Sequence, residues 1–295
     1  MTGAAGFIGK HLVRKLLEED HEVIGFDKRQ CSLGIQSIQG DIATFDVSKA
    51  LKNVDIVYHL ASLLGTAELF EKTVEAERVN VLGTVRLLEA MRKTDVDKIV
   101  FISKPNIWKF NVYTITKENC ERYLEMYRSV YGFKTVIARP FNIYGPEELL
   151  KEYRKAIPYF TVAALKGEPL EVFGDGEQTL DPIYVDDAVR ALIQCGKILP
   201  QEAVEIGSGT PVKVRDLAEK ILYLTHSDSQ IVYVPMRKGE TCTSIICANG
   251  NCQRLIRFLP KISLEDGLRR TIKWYSQHLQ DFKRIYKFKQ VRFAN

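Results

Sequence analysis

Short runs rich in Val and Ile, at 22–27, 55–61, 98–103, 134–140 and 203–207, alternate with stretches of helical periodicity over the first two-thirds of the chain. Runs of four to seven such residues suit strands buried on both faces, whereas apolar residues recurring every three to four positions suit a helix that buries one face. Residues 7–19 place Phe7, Ile8, Leu12, Val13, Leu16 and Leu17 on one such face, and longer periodic stretches cover 67–94 and 114–131. Strand–helix alternation with continuous apolar strands predicts an α/β protein, a doubly wound parallel sheet with helices on both sides. After Pro146 the pattern loosens into helices at 147–166, 185–195, 212–225 and 263–278, short strands at 170–173 and 230–235, and a loop at 174–176. This predicts a first domain over 1–146, to which 184–211 returns, and a smaller C-terminal lobe from 147–183 and 212–280.

Composition changes this picture little. With 295 residues, 45% hydrophobic and 27% charged, the chain has ordinary globular content and excludes disorder or a coiled coil. The formal net charge is +5, but four of those charges lie in the tail 281–295, where one acid, Asp281, faces Lys283, Arg284, Lys287, Lys289 and Arg292. The tail interleaves Phe282, Ile285, Tyr286, Phe288 and Phe293 with those cations, a pattern that also occurs at nucleic-acid sites. Docking of its apolar face on the body or on a second subunit is the preferred reading, because no basic footprint extends over the rest of the chain. No apolar run approaches the roughly eighteen residues of a membrane span. Lys10, Arg14 and Lys15 interrupt the first apolar stretch and acids follow it, against a signal peptide. Six scattered cysteines suit reduced thiols and a cytoplasmic location; Cys242, Cys247 and Cys252 lack a CxxC pair and a nearby His, so no metal is expected.

The candidate chemistry begins at Thr2–Gly9, a Gly-x-x-Gly-x-x-Gly turn (Gly3, Gly6, Gly9) that opens with Phe7 and Ile8 directly into a helix. Glycines there allow a tight turn and close backbone approach, so a pyrophosphate can rest on the helix N-terminus. The next strand ends at Asp27, an acid suited to the adenosine-ribose hydroxyls, which favours NAD over NADP; Lys28 and Arg29 beside it reduce that discrimination. A turn of this kind follows a strand, yet only Met1 and Thr2 precede Gly3. Either residues are missing before Met1 or the sheet closes around the gap. Farther on, Tyr113 and Lys117 stand four residues apart on one helical face, where an ammonium beside a phenol favours the phenolate and makes a usable base for an alcohol proton.

With that pair the sequence resembles the extended short-chain dehydrogenase/reductases, specifically the NAD-dependent epimerase/dehydratase family acting on nucleotide sugars. The resemblance rests on Thr2–Gly9, Gly40-Asp41-Ile42, His59-Leu60-Ala61, Asn80–Thr84, Tyr113–Lys117, Arg139–Pro146, Gly174–Gln178, Tyr184–Asp187, Ile206–Gly209 and Arg237–Glu240, in family order to about residue 280. It implies a Rossmann-type NAD-binding domain with a substrate-binding lobe, and a homodimer formed through the helices around 67–94 and 114–131. Asp41 and Ile42 would flank the adenine, while Leu60, Ala61, Ser62, Asn80, Pro140 and Phe141 would line the cofactor and Lys117 would hold the nicotinamide ribose. Asn142, Arg237 and Glu240 would bind the nucleotide sugar, and Tyr113, Lys117 and Ser103 would carry the chemistry.

Three departures qualify the resemblance. Aligning Ile107-Trp108 with the family's Val-Tyr puts Lys104 where a Ser or Thr usually assists the tyrosine, leaving Ser103 one residue early. The connection from Trp108 to Tyr113 is short, and Gln178-Thr179-Leu180-Asp181 lacks a phosphate-binding arginine. Lys104-Pro105-Asn106 also lacks the carboxylates that dehydratases and decarboxylases of the family carry there. Epimerisation at C4 through a transient 4-keto sugar is therefore the expected reaction. The alternatives are a nucleotide-sugar dehydratase or keto-sugar reductase, and an NAD-binding regulatory protein whose chemistry has decayed.

Overall fold

Strands β1 (Ile24–Asp27), β2 (Gln36–Gln39), β3 (Val57–His59), β4 (Lys98–Ile102), β5 (Lys134–Pro140) and, far later in the chain, Val204–Ile206 form the main sheet of a computed structural model that describes residues 1–105, 110–150, 153–240, 247 and 249–282. The alignment of Ile107-Trp108, the connection from Trp108, Cys242 and the tail from Lys283 onward lie outside the described residues. β2 pairs with β1, and β3, β4, β5 and Val204–Ile206 pair in that order, every pairing parallel. Between β1 and β3 the sheet is closed by Thr2, which bridges Phe26 and His59 in parallel register. Phe26 N donates to Met1 O at 2.8 Å, Thr2 N to Tyr58 O at 3.0 Å and Leu60 N to Thr2 O at 3.2 Å, so two residues supply the end of a central strand. Below them an apolar cavity lies among Ile24, Val47, Leu51, Val57 and Leu87. The glycine turn leaves the sheet at its C-terminal edge, directly after Thr2.

Helices cover both faces. α1 (Phe7–Glu18) lies on one side, and the predicted stretch 67–94 becomes a composite: a 3-10 turn at Glu68–Lys72, α2 (Thr73–Ala76), a π-turn at Glu77–Leu82 and α3 (Gly83–Arg92). The π-turn carries Asn80, which is buried; such insertions re-aim side chains and often mark functional sites. α4 (Val112–Tyr131) starts on Asn111, whose side chain accepts from Thr114 N at 2.9 Å, and ends at Gly132 in the left-handed conformation.

After β5 the chain leaves the main sheet. β6 (Asn142–Tyr144) pairs in parallel with a later strand, Pro182–Tyr184. The helix expected over 147–166 is shorter, α5 (Ala156–Leu165). Glu147 adopts φ 64°, and its carboxylate accepts from Arg14 of α1 at 2.6 and 3.1 Å, while Lys155 pairs with Glu148. These tertiary ion pairs hold 147–148 in a turn despite helical periodicity. β7 (Leu170–Phe173) pairs in parallel with Ile231–Val234, and β8 (Thr179–Leu180) pairs antiparallel with Val212–Lys213. β9 (Pro182–Tyr184) runs straight into α6 (Val185–Ile198), which returns to pack on α1; β10 (Val204–Ile206) completes the main sheet. The lobe closes with β11 (Val212–Lys213), α7 (Val214–Thr225), β12 (Ile231–Val234), α8 (Asn249–Ile256) and α9 (Leu264–Gln277).

One hydrophobic core runs from Leu12, Val100 and Val136 into Ile157, Leu170, Leu217 and Leu268, so the lobe is fused to the sheet by shared burial. A second core fills the other face with Leu87, Leu88, Met91, Ile99, Phe101 and Leu124. This is the doubly wound, Rossmann-type arrangement, and it puts the turns after β1, β3, β4 and β5 along one edge facing the lobe.

Candidate active site

At that edge the glycine turn has no room for side chains. A Cβ on Gly9 would lie 2.1 Å from Gly3 O, and one on Gly3, at φ +72°, would lie 2.8 Å from Ala61 N. α1 starts on Gly6 with no side-chain cap and no acid in its first turn, so its amide end is open to an anion. Phe7 and Ile8 follow, half-buried against the core. Asp27, buried at the end of β1, accepts from Ala5 N at 3.1 Å and from Arg29 N at 2.9 Å, and Arg29 Nη2 donates to Ala5 O at 2.8 Å. Asp27 therefore shapes the turn as well as presenting a carboxylate beside it. Lys28 is exposed next to it. A tight, uncapped, acid-free helix start beside a carboxylate fits the pyrophosphate and ribose of a dinucleotide.

The neighbouring loops are tied to this turn by a buried chain of hydrogen bonds. Ala61 N donates to Thr2 Oγ1 at 3.2 Å, Thr2 Oγ1 lies 2.6 Å from His59 Nδ1, and His59 Nε2 lies 2.9 Å from Thr84 Oγ1. Thr84 donates onward to Asn80 O, which assigns the proton of the neutral imidazole to Nε2. Burial, with the Lys117 charge adding to it, drives the His59 pKa down to about 3, so the ring stays neutral. Asn80 Oδ1 accepts from Ser62 Oγ at 3.0 Å and Leu63 N at 2.7 Å; its amide donates to Leu63 O and to Thr116 Oγ1 on α4. Asn80 thus staples the loop holding Leu60, Ala61 and Ser62 to both helices. Asp41 accepts from Ala43 N and Arg78, and the Ala43 N–H, with Arg78 behind it, holds the carboxyl below its ordinary range. Ile42 is a core residue, close enough that a Cβ on Gly83 would meet its Cγ2 at 2.7 Å.

On α4, Tyr113 and Lys117 stand one above the other, with Lys117 Nζ 5.9 Å from the Tyr113 ring centre. Lys117 Nζ donates to Ile102 O at 2.7 Å and sits 4.5 Å from the Phe101 ring centre, and burial lowers its pKa to about 8. The lowered phenol expected from the pair is not found: burial pushes the Tyr113 hydroxyl up, with Tyr153 adding to the rise. Desolvation outweighs an ammonium that is committed to a carbonyl several ångströms away.

Ser103 is buried, but its hydroxyl donates to Glu121 Oε1 at 2.5 Å, and Arg139 Nε holds the same oxygen at 3.0 Å. The expectation that Ser103 assists Tyr113 is therefore not met by its contacts, because Glu121, one turn beyond Lys117, captures the hydroxyl. Lys104, also buried, pairs with Glu118 at 3.0 Å.

The far wall comes from the end of β5 and from residues 173–240. Pro140 ends β5; Phe141 is buried, with its N–H donated to Ile206 O at 2.8 Å, and Asn142 N donates to Asp181 O at 3.2 Å. Arg237 Nε donates to Glu240 Oε2 at 3.0 Å while Nη2 holds the other Glu240 oxygen, and Nη1 donates to Glu68 at 3.2 Å. The guanidinium lies over Phe173, 4.9 Å from the ring centre. Leu180 packs half-buried on the core, leaving this wall without the expected second arginine at that position. Glu68, Thr66, Phe173 and Tyr153 carry no sequence signal of their own; only the fold brings them to the site.

The profile of the NAD dependent epimerase/dehydratase family matches residues 1–207. A putative UDP-glucose 4-epimerase of Methanocaldococcus jannaschii is 31% identical over 93% of this chain and 97% of its own length. A UDP-N-acetyl-alpha-D-glucosaminuronate decarboxylase of Bacillus cytotoxicus is 32% identical over 94% and 97%. Among solved structures, the UDP-glucose 4-epimerase of Thermotoga maritima with UDP-glucose superposes with a TM-score of 0.86 at 30% identity, covering 94% of this chain and 98% of that one.

Proposed function

Since the chain belongs to the NAD dependent epimerase/dehydratase family, we propose that it interconverts nucleotide-activated sugars at C4 through a transient 4-keto sugar, with UDP-sugars as the substrate class. The observation that carries this reading is the Tyr113–Lys117 pair on α4, beside the glycine turn, with Lys104-Pro105-Asn106 in place of any carboxylate after β4. Epimerisation asks for one base; elimination of water or carbon dioxide asks for more. The proposed division is 1–146 with 184–211 for NAD, and 147–183 with 212–280 for substrate.

Gly3, Gly6 and Gly9 would admit the NAD pyrophosphate to the start of α1, Asp27 the adenosine ribose, and the loop of Leu60, Ala61 and Ser62, held by Asn80, the middle of the cofactor. NAD, when bound, supplies the hydride acceptor and donor. Tyr113 takes the proton of the C4 hydroxyl and later returns it. Lys117, fixed by Ile102 O, keeps a cation under the phenol and reaches the nicotinamide ribose, while Phe141 borders it. Asn142, Arg237 and Glu240 hold the nucleotide diphosphate and its ribose, a guanidinium being suited to phosphate oxygens. Ser103 acts only through Glu121 and Arg139, by fixing the end of β4 against α4.

Incubating the purified protein with UDP-glucose, UDP-glucuronate or UDP-N-acetylglucosamine and following the anomeric proton signals tests the reaction. At least one C4 epimer pair is expected to equilibrate without net NADH consumption. Loss of water or carbon dioxide, or stoichiometric NADH oxidation, would replace the epimerase with a dehydratase, decarboxylase or reductase; no turnover of any nucleotide sugar would leave a binding protein.

The assembly proposed is a homodimer in the cytoplasm. α4 exposes Ile115, Tyr123, Met126 and Val130 on one face, and Val74 and Leu82 are exposed on the neighbouring helical run, a stripe suited to a matching copy. The five cysteines among the described residues are unpaired. Light scattering on the native protein should give two chains per particle, and thiol trapping during denaturation of a parallel sample should alkylate every cysteine. A monomer would overturn the interface, and a disulfide the compartment.

A further inference from the structure

We infer that Glu68 is an additional determinant of nucleotide affinity, competing with the incoming diphosphate for the guanidinium of Arg237. This rests on the reading that Arg237 holds the substrate's phosphate. Arg237 and Glu68 are both largely buried, with 9% and 13% of their side chains exposed, so their contact is a desolvated one. Three of the five guanidinium N–H donors are in use: Glu240 takes Nε and Nη2 as a fork, and Glu68 takes Nη1 at 3.2 Å. One face of the same group lies over Phe173. A phosphate oxygen therefore meets Arg237 either at a remaining N–H beside the carboxylates or by displacing one of them, and on Nη1 its neighbour or rival is Glu68.

The two carboxylates are not equivalent. Glu240 is three residues from Arg237, on the same turn, and can move with it. Glu68 comes from the first domain, 169 residues away in the chain, and its carboxylate also accepts from Thr66 N at 3.2 Å. Thr66 Oγ1 in turn donates to Glu240 at 2.5 Å, so the 66–68 segment grips the 237–240 turn at more than one point. A diphosphate bound at Arg237 shares or takes the donor group that Glu68 holds and faces the Glu68 charge. Like charges across a buried contact oppose binding, so Glu68 lowers nucleotide affinity and favours release of the product.

The test is calorimetric titration of UDP into the NAD-loaded full chain, comparing wild type with Glu68→Gln, Glu68→Asp and Arg237→Gln. Glu68→Gln is expected to tighten UDP about tenfold and to lower the KM of the nucleotide sugar in step, with NAD content unchanged. Glu68→Asp, which withdraws the charge by one methylene, should fall between that variant and wild type, and serves alone if the glutamine variant does not fold. Arg237→Gln should weaken UDP at least about tenfold. If Arg237→Gln changes nothing, the phosphate reading of Arg237 fails. If it weakens UDP while neither Glu68 variant tightens it, the competition assigned to Glu68 is overturned and that reading stands.

Discussion

Tyr113→Phe is expected to reduce nucleotide-sugar turnover by about a thousandfold or more, the scale of a lost general base, while NAD stays bound. The substitution removes one hydroxyl and keeps the ring, so the packing of Tyr113 with Leu69 and Val112 and the placement of Lys117 over the ring should persist. Its effect should therefore be confined to the proton step. Because burial raises the phenol, its proton leaves only when a base-stabilising charge is close, and the 5.9 Å position of Lys117 leaves the ammonium able to supply part of that. Lys117 itself, lowered to about 8 by burial, sheds its proton as pH rises through that value. Rates should be read below it, at pH 7, with NAD quantified after denaturation of each variant. Turnover within tenfold of wild type would remove Tyr113 from the role of base.

The second large effect is expected at Gly9. A methyl there meets backbone atoms, Gly3 O at 2.1 Å and Ala4 Cα at 3.0 Å, which cannot rotate away as a side chain would. Either the turn opens or α1 shifts, and overpacking of this kind costs about 3 kcal/mol. For a chain of this size that lowers the melting temperature by about 6–12 °C. NAD should be lost as well, because the same backbone forms the pyrophosphate cradle. Gly34→Ala is the control: at φ +68° with nothing within 4 Å, it carries backbone strain of about 1 kcal/mol and should keep its cofactor. Scanning calorimetry and the NAD content of purified Gly9→Ala protein decide it; a variant that melts with wild type and retains NAD would show that the turn is not this tight in solution.

Much of the fold was legible in the chain because burial leaves a local imprint. β4 and β5 fall where continuous apolar runs predict them, and α1 and α4 within one or two residues of their periodic stretches. β2 carries little signal because it is an edge strand, Gln36–Gln39, mostly exposed and with Ile38 as its single apolar residue. The π-turn at Glu77–Leu82 is also invisible to periodicity, since the apolar stripe continues through it while Asn80 is turned inward. The 147–148 segment reads as helix and is held as a turn by partners on α1 and at Lys155.

The sequence by itself determined the α/β class, the glycine turn opening α1, and a tyrosine and lysine on one face of α4. Each depends on spacing within a few residues, and helix and strand geometry convert that spacing directly into position. Only the tertiary structure decided what the polar side chains do with that position. It commits Ser103 to Glu121, makes Asn80 a staple for the loop after β3, raises the Tyr113 phenol, and sets Glu68 against Arg237. It also sets Thr2 between β1 and β3, bridging Phe26 and His59. Hydrogen bonds and ion pairs are short-ranged and satisfied by whichever group packing brings near. Their partners, tens to more than a hundred residues apart in the chain, exist only once the layers have closed.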